Sequence, residues 1–101
     1  MTKYKAIRTE VDGIMFASKK EAMRYKELKF LRGEYRISDL TLQPKFPVEI
    51  CGKKICTYVA DFLYYENGEK IIEDVKGVKT PVYRLKKKLV EAIYNITIKE
   101  L

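Results

Sequence analysis

The sequence predicts one α/β domain of the mixed α+β type, with the element order helix, three strands, helix, strand. Three local patterns predict it: a helix start at Ser18, an Asn67-Gly68 dipeptide between two runs of strand-forming residues, and a second helix start at Thr80-Pro81. The 101 residues fit a single domain, residues 1–101, and the hydrophobic content of 47% favours a folded chain.

The first helix is predicted to begin at Ser18 and to end near Gly33. Ser18 and Glu21 form the S-x-x-E pattern of a capping box, and a glycine often follows the last helical turn. Glu21 stands at the border of the buried face rather than among the exposed lysines. The apolar stripe of this helix consists of Ala22, Tyr25, Leu28 and Leu31. The basic residues 1–10 lack a pattern and are expected to lie loosely before it.

The middle of the chain is predicted to supply the strands. Residues 37–44 form an extended connector, residues 46–50 a first strand that turns at 52–54, and residues 58–65 a second strand. Asn67-Gly68 favours a tight type I′ turn because both positions need a positive φ. Counting outward from this turn gives the register Glu66 with Glu69, Leu63 with Ile72, Asp61 with Asp74, and Val59 with Lys76.

The second helix is predicted over residues 81–94, with Thr80 as its N-cap and Pro81 as its first residue. A short strand over residues 96–98 follows a turn at Asn95. The buried stripe of the helix is expected to consist of Val82, Leu85, Leu89, Ala92 and Ile93.

Composition limits the function. The chain has 21 Lys and Arg against 14 Asp and Glu, a net charge of +7, which favours a polyanionic partner over simple solubility. It has no histidine, which excludes imidazole catalysis and imidazole metal ligands. No apolar run is long enough for a membrane span and no signal peptide is recognisable, so we expect a cytoplasmic protein with no membrane partner.

Asp61 and Asp74 are the first candidates for chemistry. Two carboxylates directly opposite each other on an apolar face repel, and a divalent cation is the simplest reason to keep them. Strand alternation puts Lys76 on the same face and turns Glu73 to the other, so Glu73 is excluded from the site. The alternative is a pair of surface aspartates on a twisted hairpin, balanced by Lys76.

The motifs ADF at 60–62 and EDVKG at 73–77 resemble the bipartite signature of the PD-(D/E)XK nuclease superfamily, with Ala60 in place of the usual proline. The chain from Val11 to Leu101 also resembles a small phage- and prophage-borne family of unknown-function domains in that superfamily. The motifs of that resemblance are SKKEA at 18–22, QPKF at 43–46, YVADF at 58–62, EDVKG at 73–77 and LKKKL at 85–89.

This resemblance implies a restriction-endonuclease-like αβββαβ core, a mixed sheet flanked by two helices. Asp61 and Asp74 would bind Mg²⁺ or Mn²⁺, with the backbone carbonyl of Val75 as a further ligand. Lys76 would position the attacking water, and Glu21 would complete the acidic site.

For three parts of the sequence, a functional role and a purely structural role are both possible. Glu21 is explained equally by metal binding and by the capping box. Gln43 either reaches a metal-bound water or a phosphate, or satisfies loop backbone. The basic face of the second helix is either a solvated surface or a contact to a phosphate backbone. That face consists of Arg84, Lys86, Lys87 and Lys88.

We therefore expect a Mg²⁺- or Mn²⁺-dependent deoxyribonuclease, with branched or Holliday-junction DNA of phage replication or recombination as a candidate substrate. A homodimer would suit cleavage of two strands, and a phage or host recombination or replication protein is a candidate partner. The location would be the cytoplasm of a bacterial host of the phage or prophage. The alternatives are a catalytically silent module that binds nucleic acid, and a phage accessory protein that binds a host protein.

Overall fold

The centre of the fold is a four-stranded sheet with one helix on each face. This computed structural model describes residues 7–75 and 77–101, which form eight strands and two helices. In chain order they are β1 (Thr9–Val11), β2 (Ile14–Phe16), α1 (Lys19–Gly33), β3 (Ser38–Leu42), β4 (Lys45–Ile50), β5 (Lys53–Val59), β6 (Phe62–Glu66), β7 (Glu69–Asp74), α2 (Pro81–Tyr94) and β8 (Ile98–Glu100). The predicted mixed α+β class is confirmed.

The strand order of this sheet is β3-β6-β7-β8, and only the pairing of β7 with β8 is parallel. Side chains that alternate along β6 and β7 divide the interior into two cores. Phe62 and Tyr64 face α1, where they pack with Tyr25 and Leu28 in what we call the α1-side core. The α2-side core lies on the opposite face and contains Phe46, Val48, Tyr58, Ala60, Ile72, Tyr83, Val90 and Ile98.

The hairpin of β6 and β7 has the predicted register. Glu66 pairs with Glu69 and Leu63 with Ile72, while Asn67 and Gly68 have φ angles of 53° and 76°. Phe62 pairs with Glu73, so Asp61 lies one residue before β6, at the level of Asp74.

The prediction of one continuous strand over residues 58–65 is wrong. The segment is divided at Ala60 and Asp61 into β5 and β6, which pair in different sheets. Up to Val59 it belongs to β5, which pairs with β4 in a separate two-stranded sheet, and Val59 pairs there with Lys45. Lys76, the partner predicted for Val59, lies outside the described residues. The Ala60 N–H then donates to the Pro44 carbonyl at 3.1 Å, and the Asp61 N–H donates to the Glu73 carbonyl at 3.1 Å. These two bonds mark the switch from one sheet to the other.

The connector predicted over residues 37–44 contains a strand instead. Residues Ser38–Leu42 form β3, an edge of the central sheet antiparallel to β6. The register shifts between Ser38 and Thr41, and Asp39 has a φ of 53°. This irregularity breaks the apolar alternation by which a strand is recognised.

Both helices begin and end close to the predicted residues. Ser18 caps α1 and Thr80 caps α2, and Asn95 ends α2 with a left-handed φ of 54°. The last strand, β8, begins two residues later than the start predicted for it.

The buried face predicted for α2 is only partly correct, because Leu89 of the predicted stripe is half-buried against the α2-side core. Tyr83 and Val90 are the buried residues of this helix, whereas Val82, Leu85 and Ile93 are 63%, 59% and 47% exposed. The helix meets the sheet through polar contacts that hydrophobic periodicity does not reveal: the Tyr83 hydroxyl donates to Glu100 at 2.7 Å, and the Ile98 N–H donates to Glu91 at 2.8 Å.

The beginning of the chain is described from Ile7 onward. Of the segment 1–10 that was expected to be loose, residues 1–6 lie outside the described residues, while Thr9 and Glu10 belong to β1 and pair with β2. In residues 7–75 and 77–101, neither helix has the length and apolar character that a membrane crossing requires.

Candidate functional site

Asp61 lies at the break between β5 and β6, where the chain leaves one sheet for the other. Its Oδ2 accepts a hydrogen bond from the Val75 N–H at 2.6 Å, and its side chain is within hydrogen-bonding reach of Glu21 and Asp74. Burial first, and then the neighbouring Glu21 carboxyl group, raise the pKa of Asp61 to about 6. The strand break therefore presents a carboxyl group that titrates near neutrality.

Glu21 is buried, with 8% exposure, in the first turn of α1. Its N–H donates to Ser18 Oγ at 3.1 Å, which is the predicted N-cap. Its own Oε2 accepts from the Ala17 N–H at 3.2 Å, one residue before the donor expected of a capping box. Glu21 thus supports the start of the helix and also lies against Asp61, so the two interpretations are compatible.

Asp74 ends β7 and is fully buried. Tyr58 donates its hydroxyl hydrogen to Asp74 Oδ2, and burial together with this bond raises the pKa of Tyr58. Tyr58 comes from the β4–β5 sheet, which the sequence did not predict to be separate. No sequence signal in the hairpin therefore pointed to this contact.

A cleft of about 230 Å³ brings several predicted residues together. Gln43, in the loop after β3, lines this cleft with a φ of 51°, and its N–H donates to the Asp61 carbonyl at 2.9 Å. The cleft is lined by Ile14, Met15, Phe16, Glu21, Leu42, Gln43, Asp61 and Phe62. It joins Glu21, Gln43 and Asp61 on the α1 side of the sheet.

The donor chemistry of these residues fits a hard divalent cation. In residues 7–75 and 77–101, no three acidic, thiol or imidazole side chains converge as a ready-made metal cluster. Mg²⁺ does not need such a cluster, because it usually keeps several waters and binds one or two carboxylates. Asp61 with Glu21 or Asp74 would hold Mg²⁺ or Mn²⁺ in that way. The carbonyl of Val75 remains a predicted ligand, and Lys76 lies outside the described residues.

Glu73, which strand alternation excluded from the predicted site, is a buried residue with partners of its own. It is fully buried on the α1 side and forms a bidentate pair with Arg24, with Nε to Oε1 at 2.8 Å and Nη2 to Oε2 at 2.7 Å. The Tyr64 hydroxyl also donates to Oε2. Burial opposes ionisation of Glu73, yet these bonds hold its pKa below the ordinary value.

The four basic residues predicted to contact a phosphate backbone are divided between two clefts. Arg84, Lys87 and Lys88 border a cleft of about 440 Å³ that also includes Lys79. Lys87 lies 3.6 Å from Glu100 and 3.9 Å from Glu91. Lys86 instead borders a cleft of about 360 Å³ beside Tyr58 and Tyr83.

Sequence reasoning missed Arg24, Tyr58 and Lys79. Arg24 could have been identified as a neighbour of Glu21, because it follows Glu21 by three residues and therefore lies on the same helix face. Lys79 directly precedes the N-cap of α2, but its proximity to Glu100, at 3.4 Å, depends on the parallel pairing of β7 with β8.

The fold and this site define a small mixed α+β domain with a carboxylate-lined cleft and a basic second helix. The chain belongs to the family described as "Protein of unknown function (DUF1064)", whose family model matches residues 1–99. A search of curated proteins found no match.

Proposed function

We propose that this protein is a Mg²⁺- or Mn²⁺-dependent nuclease that hydrolyses phosphodiester bonds in DNA, branched or junction DNA among them. The observation that carries the proposal is the meeting of Asp61 with Glu21 and Asp74, which come from a strand break, a helix and a second strand. Carboxyl groups that lie beside one another repel when they are ionised, which lowers stability, and binding a cation offsets that loss.

The order of elements supports membership of the PD-(D/E)XK superfamily. With the β4–β5 hairpin treated as an insertion, the elements α1, β3, β6, β7, α2 and β8 follow one another as αβββαβ. In this proposal the core is restriction-endonuclease-like, and the first of its strands is β3 rather than the strand at residues 46–50.

Each residue of the site has a distinct proposed role. Asp61 and Asp74 hold the ion, with Glu21 and the Val75 carbonyl as additional oxygens. A bound Mg²⁺ or Mn²⁺ would supply polarisation of a phosphoryl oxygen and a lower pKa for a water. The Val75 N–H fixes the Asp61 carboxylate, and the Tyr58 hydroxyl fixes Asp74.

Two further side chains act on the water and the substrate. Lys76, two residues beyond Asp74 in the sequence, donates a hydrogen bond to the attacking water. Gln43 donates from the cleft wall to that water or to a phosphate oxygen. The water oxygen would bond to phosphorus as the bond from phosphorus to the leaving sugar oxygen breaks. The water would release a proton to solvent, and the leaving sugar oxygen would take one up from solvent.

Cleavage of defined DNA substrates tests the proposal. Linear, nicked, single-stranded and four-way-junction DNA are incubated with the protein and Mg²⁺ or Mn²⁺. We expect cleavage of at least one substrate, its loss in EDTA, and its loss in Asp61→Asn and Asp74→Asn, which keep the side-chain size. Glu49→Gln, at an exposed position of β4, is the matched control and should cleave as the wild type does.

Wild type that cleaves none of these substrates, or Asp74→Asn that cleaves as well as wild type, would contradict the proposal. DNA binding that survives both EDTA and Asp61→Ala, without cleavage, would instead favour the catalytically silent binding module.

A further inference from the structure

The ion pair between Arg24 and Glu73 joins α1 to β7. It spans 49 residues of sequence, and both guanidinium–carboxylate bonds are shorter than 3 Å. Arg24 Nη2 also lies 3.4 Å from the Tyr64 hydroxyl, so three polar side chains form one connected unit.

Both ends of this unit adjoin the proposed metal ligands. Arg24 follows Glu21 by three residues, and residues at this spacing are neighbours on one helix face. Glu73 precedes Asp74, and its backbone carbonyl accepts the Asp61 N–H at 3.1 Å. The pair therefore connects α1, which carries Glu21, to β7, which ends at Asp74 and binds the Asp61 N–H through the Glu73 carbonyl.

Stability alone does not explain a charge pair at this position. Replacing a buried ion pair with packed apolar side chains is often neutral or stabilising, because both charges lose their hydration. A bidentate guanidinium–carboxylate pair adds geometric specificity, since its two parallel bonds fix the orientation of both partners. Here that orientation is the rotation and axial position of α1 on the sheet.

We propose that Arg24 is a positioning residue, which acts through its bidentate contact to Glu73 to hold Glu21 against Asp61 for binding of the divalent ion. This inference rests on the proposed function, since it assumes that Glu21 is a ligand as well as a helix cap. It assigns Glu73 a role outside the ligand set.

Calorimetric titration of the metal-free protein with Mn²⁺ measures the effect without using activity. We expect Arg24→Met to weaken Mn²⁺ binding about 10-fold or more, as for other residues that orient a ligand. Arg24→Lys keeps the charge but not the paired bonds, and it should lie between Arg24→Met and wild type. Glu21→Gln should also weaken binding, and adding Arg24→Met to it should change the affinity by no more than about twofold, because the ligand is already lost.

The control is Lys29→Met, which removes the other ion pair that anchors α1, between Lys29 and Asp12 at 2.5 Å. It should leave Mn²⁺ affinity unchanged, with all variants measured at a temperature where circular dichroism shows them folded. If Arg24→Met does not fold, Arg24→Lys carries the test, since it leaves Glu73 with a positive partner.

Three outcomes overturn the inference alone: wild-type affinity in the Arg24 variants, an undiminished effect of Arg24→Met in Glu21→Gln, or an equal loss in Lys29→Met. Wild type that binds no Mn²⁺ overturns both the inference and the proposed metal-dependent function.

Discussion

At Asp61 the structure links the stability of the fold to pH. Burial and the Glu21 side chain raise the pKa of this carboxyl group from the ordinary 3.8 to about 6. Between these two values the folded chain holds a proton that the unfolded chain releases. The contribution of Asp61 to stability is therefore fully present below pH 4 and is lost as the pH rises through 6.

Replacing Asp61 with Asn removes the pH-dependent contribution of this carboxyl group to stability. We predict that Asp61→Asn has a higher melting temperature than wild type at pH 7.5 in EDTA, because the variant buries no charge beside Glu21. The difference should shrink toward zero below about pH 4, where wild-type Asp61 is protonated in both states. Thermal melts followed by circular dichroism measure it.

Glu49→Gln removes one negative charge from an exposed position of β4 and controls for the change in net charge. A gain for Asp61→Asn that does not vary with pH would contradict the assignment of the raised pKa to Asp61.

Among the elements, α2 departs from its sequence pattern in which apolar side chains it buries. Val90 is fully buried in the α2-side core, whereas Leu85 is 59% exposed. We predict that Val90→Ala lowers the free energy of unfolding by about 2 kcal/mol, through lost burial and a cavity. Leu85→Ala should change it by less than about 0.5 kcal/mol. Urea denaturation of both variants makes the comparison.

Equal losses in the two variants would mean that Leu85 is covered in solution, as the sequence pattern predicted. Alanine raises helix propensity at both positions, and more at Val90 than at Leu85, so the change in propensity opposes the predicted difference rather than producing it.

Local chemistry made some elements predictable. Ser18 and Thr80 mark the helix starts, and Asn67-Gly68 fixes a hairpin register that needs no distant contact. Because that register is local, it also predicts that Asp61 and Asp74 lie at the same level and that Glu73 faces the other side of the sheet.

The remaining features depend on distant partners. The strand break at Ala60 exists because the backbone acceptors lie on two different segments: Pro44 directly before β4, and Glu73 in β7. The orientation of α2 depends on Glu100, whose position follows from the parallel pairing of β8 with β7. Tyr58 meets Asp74 for the same reason: the contact joins two sheets that no local pattern separates.

For the molecule as a whole, the net charge of +7 predicts binding to a polyanion that weakens with salt. The slope of log binding constant against log salt concentration reports the number of phosphates neutralised, at about 0.9 per contact on duplex DNA. Arg84 and Lys88 are exposed residues of α2 that border the cleft of about 440 Å³, and they are the proposed phosphate contacts.

We predict that Arg84→Gln and Lys88→Gln each reduce this slope by about 0.9 and weaken binding to all duplex sequences similarly. Fluorescence anisotropy in EDTA, where cleavage is prevented, measures binding over a range of salt concentrations. Lys53→Gln, at an exposed position in the β4–β5 sheet, removes the same charge away from this cleft and should leave the slope unchanged. Equal slopes for all three variants would place the DNA elsewhere on the surface.

The hairpin that carries Asp61 and Asp74 also determines when the site forms during folding. The bond from Val75 to Asp61 closes only 14 residues of chain, whereas the bond from Arg24 to Glu73 closes 49. Short loops close first because they lose less entropy, so the two aspartates meet before α1 docks and adds Glu21. We therefore expect the repulsion between Glu21 and Asp61 to arise late on the folding path and to accelerate unfolding more than it slows folding.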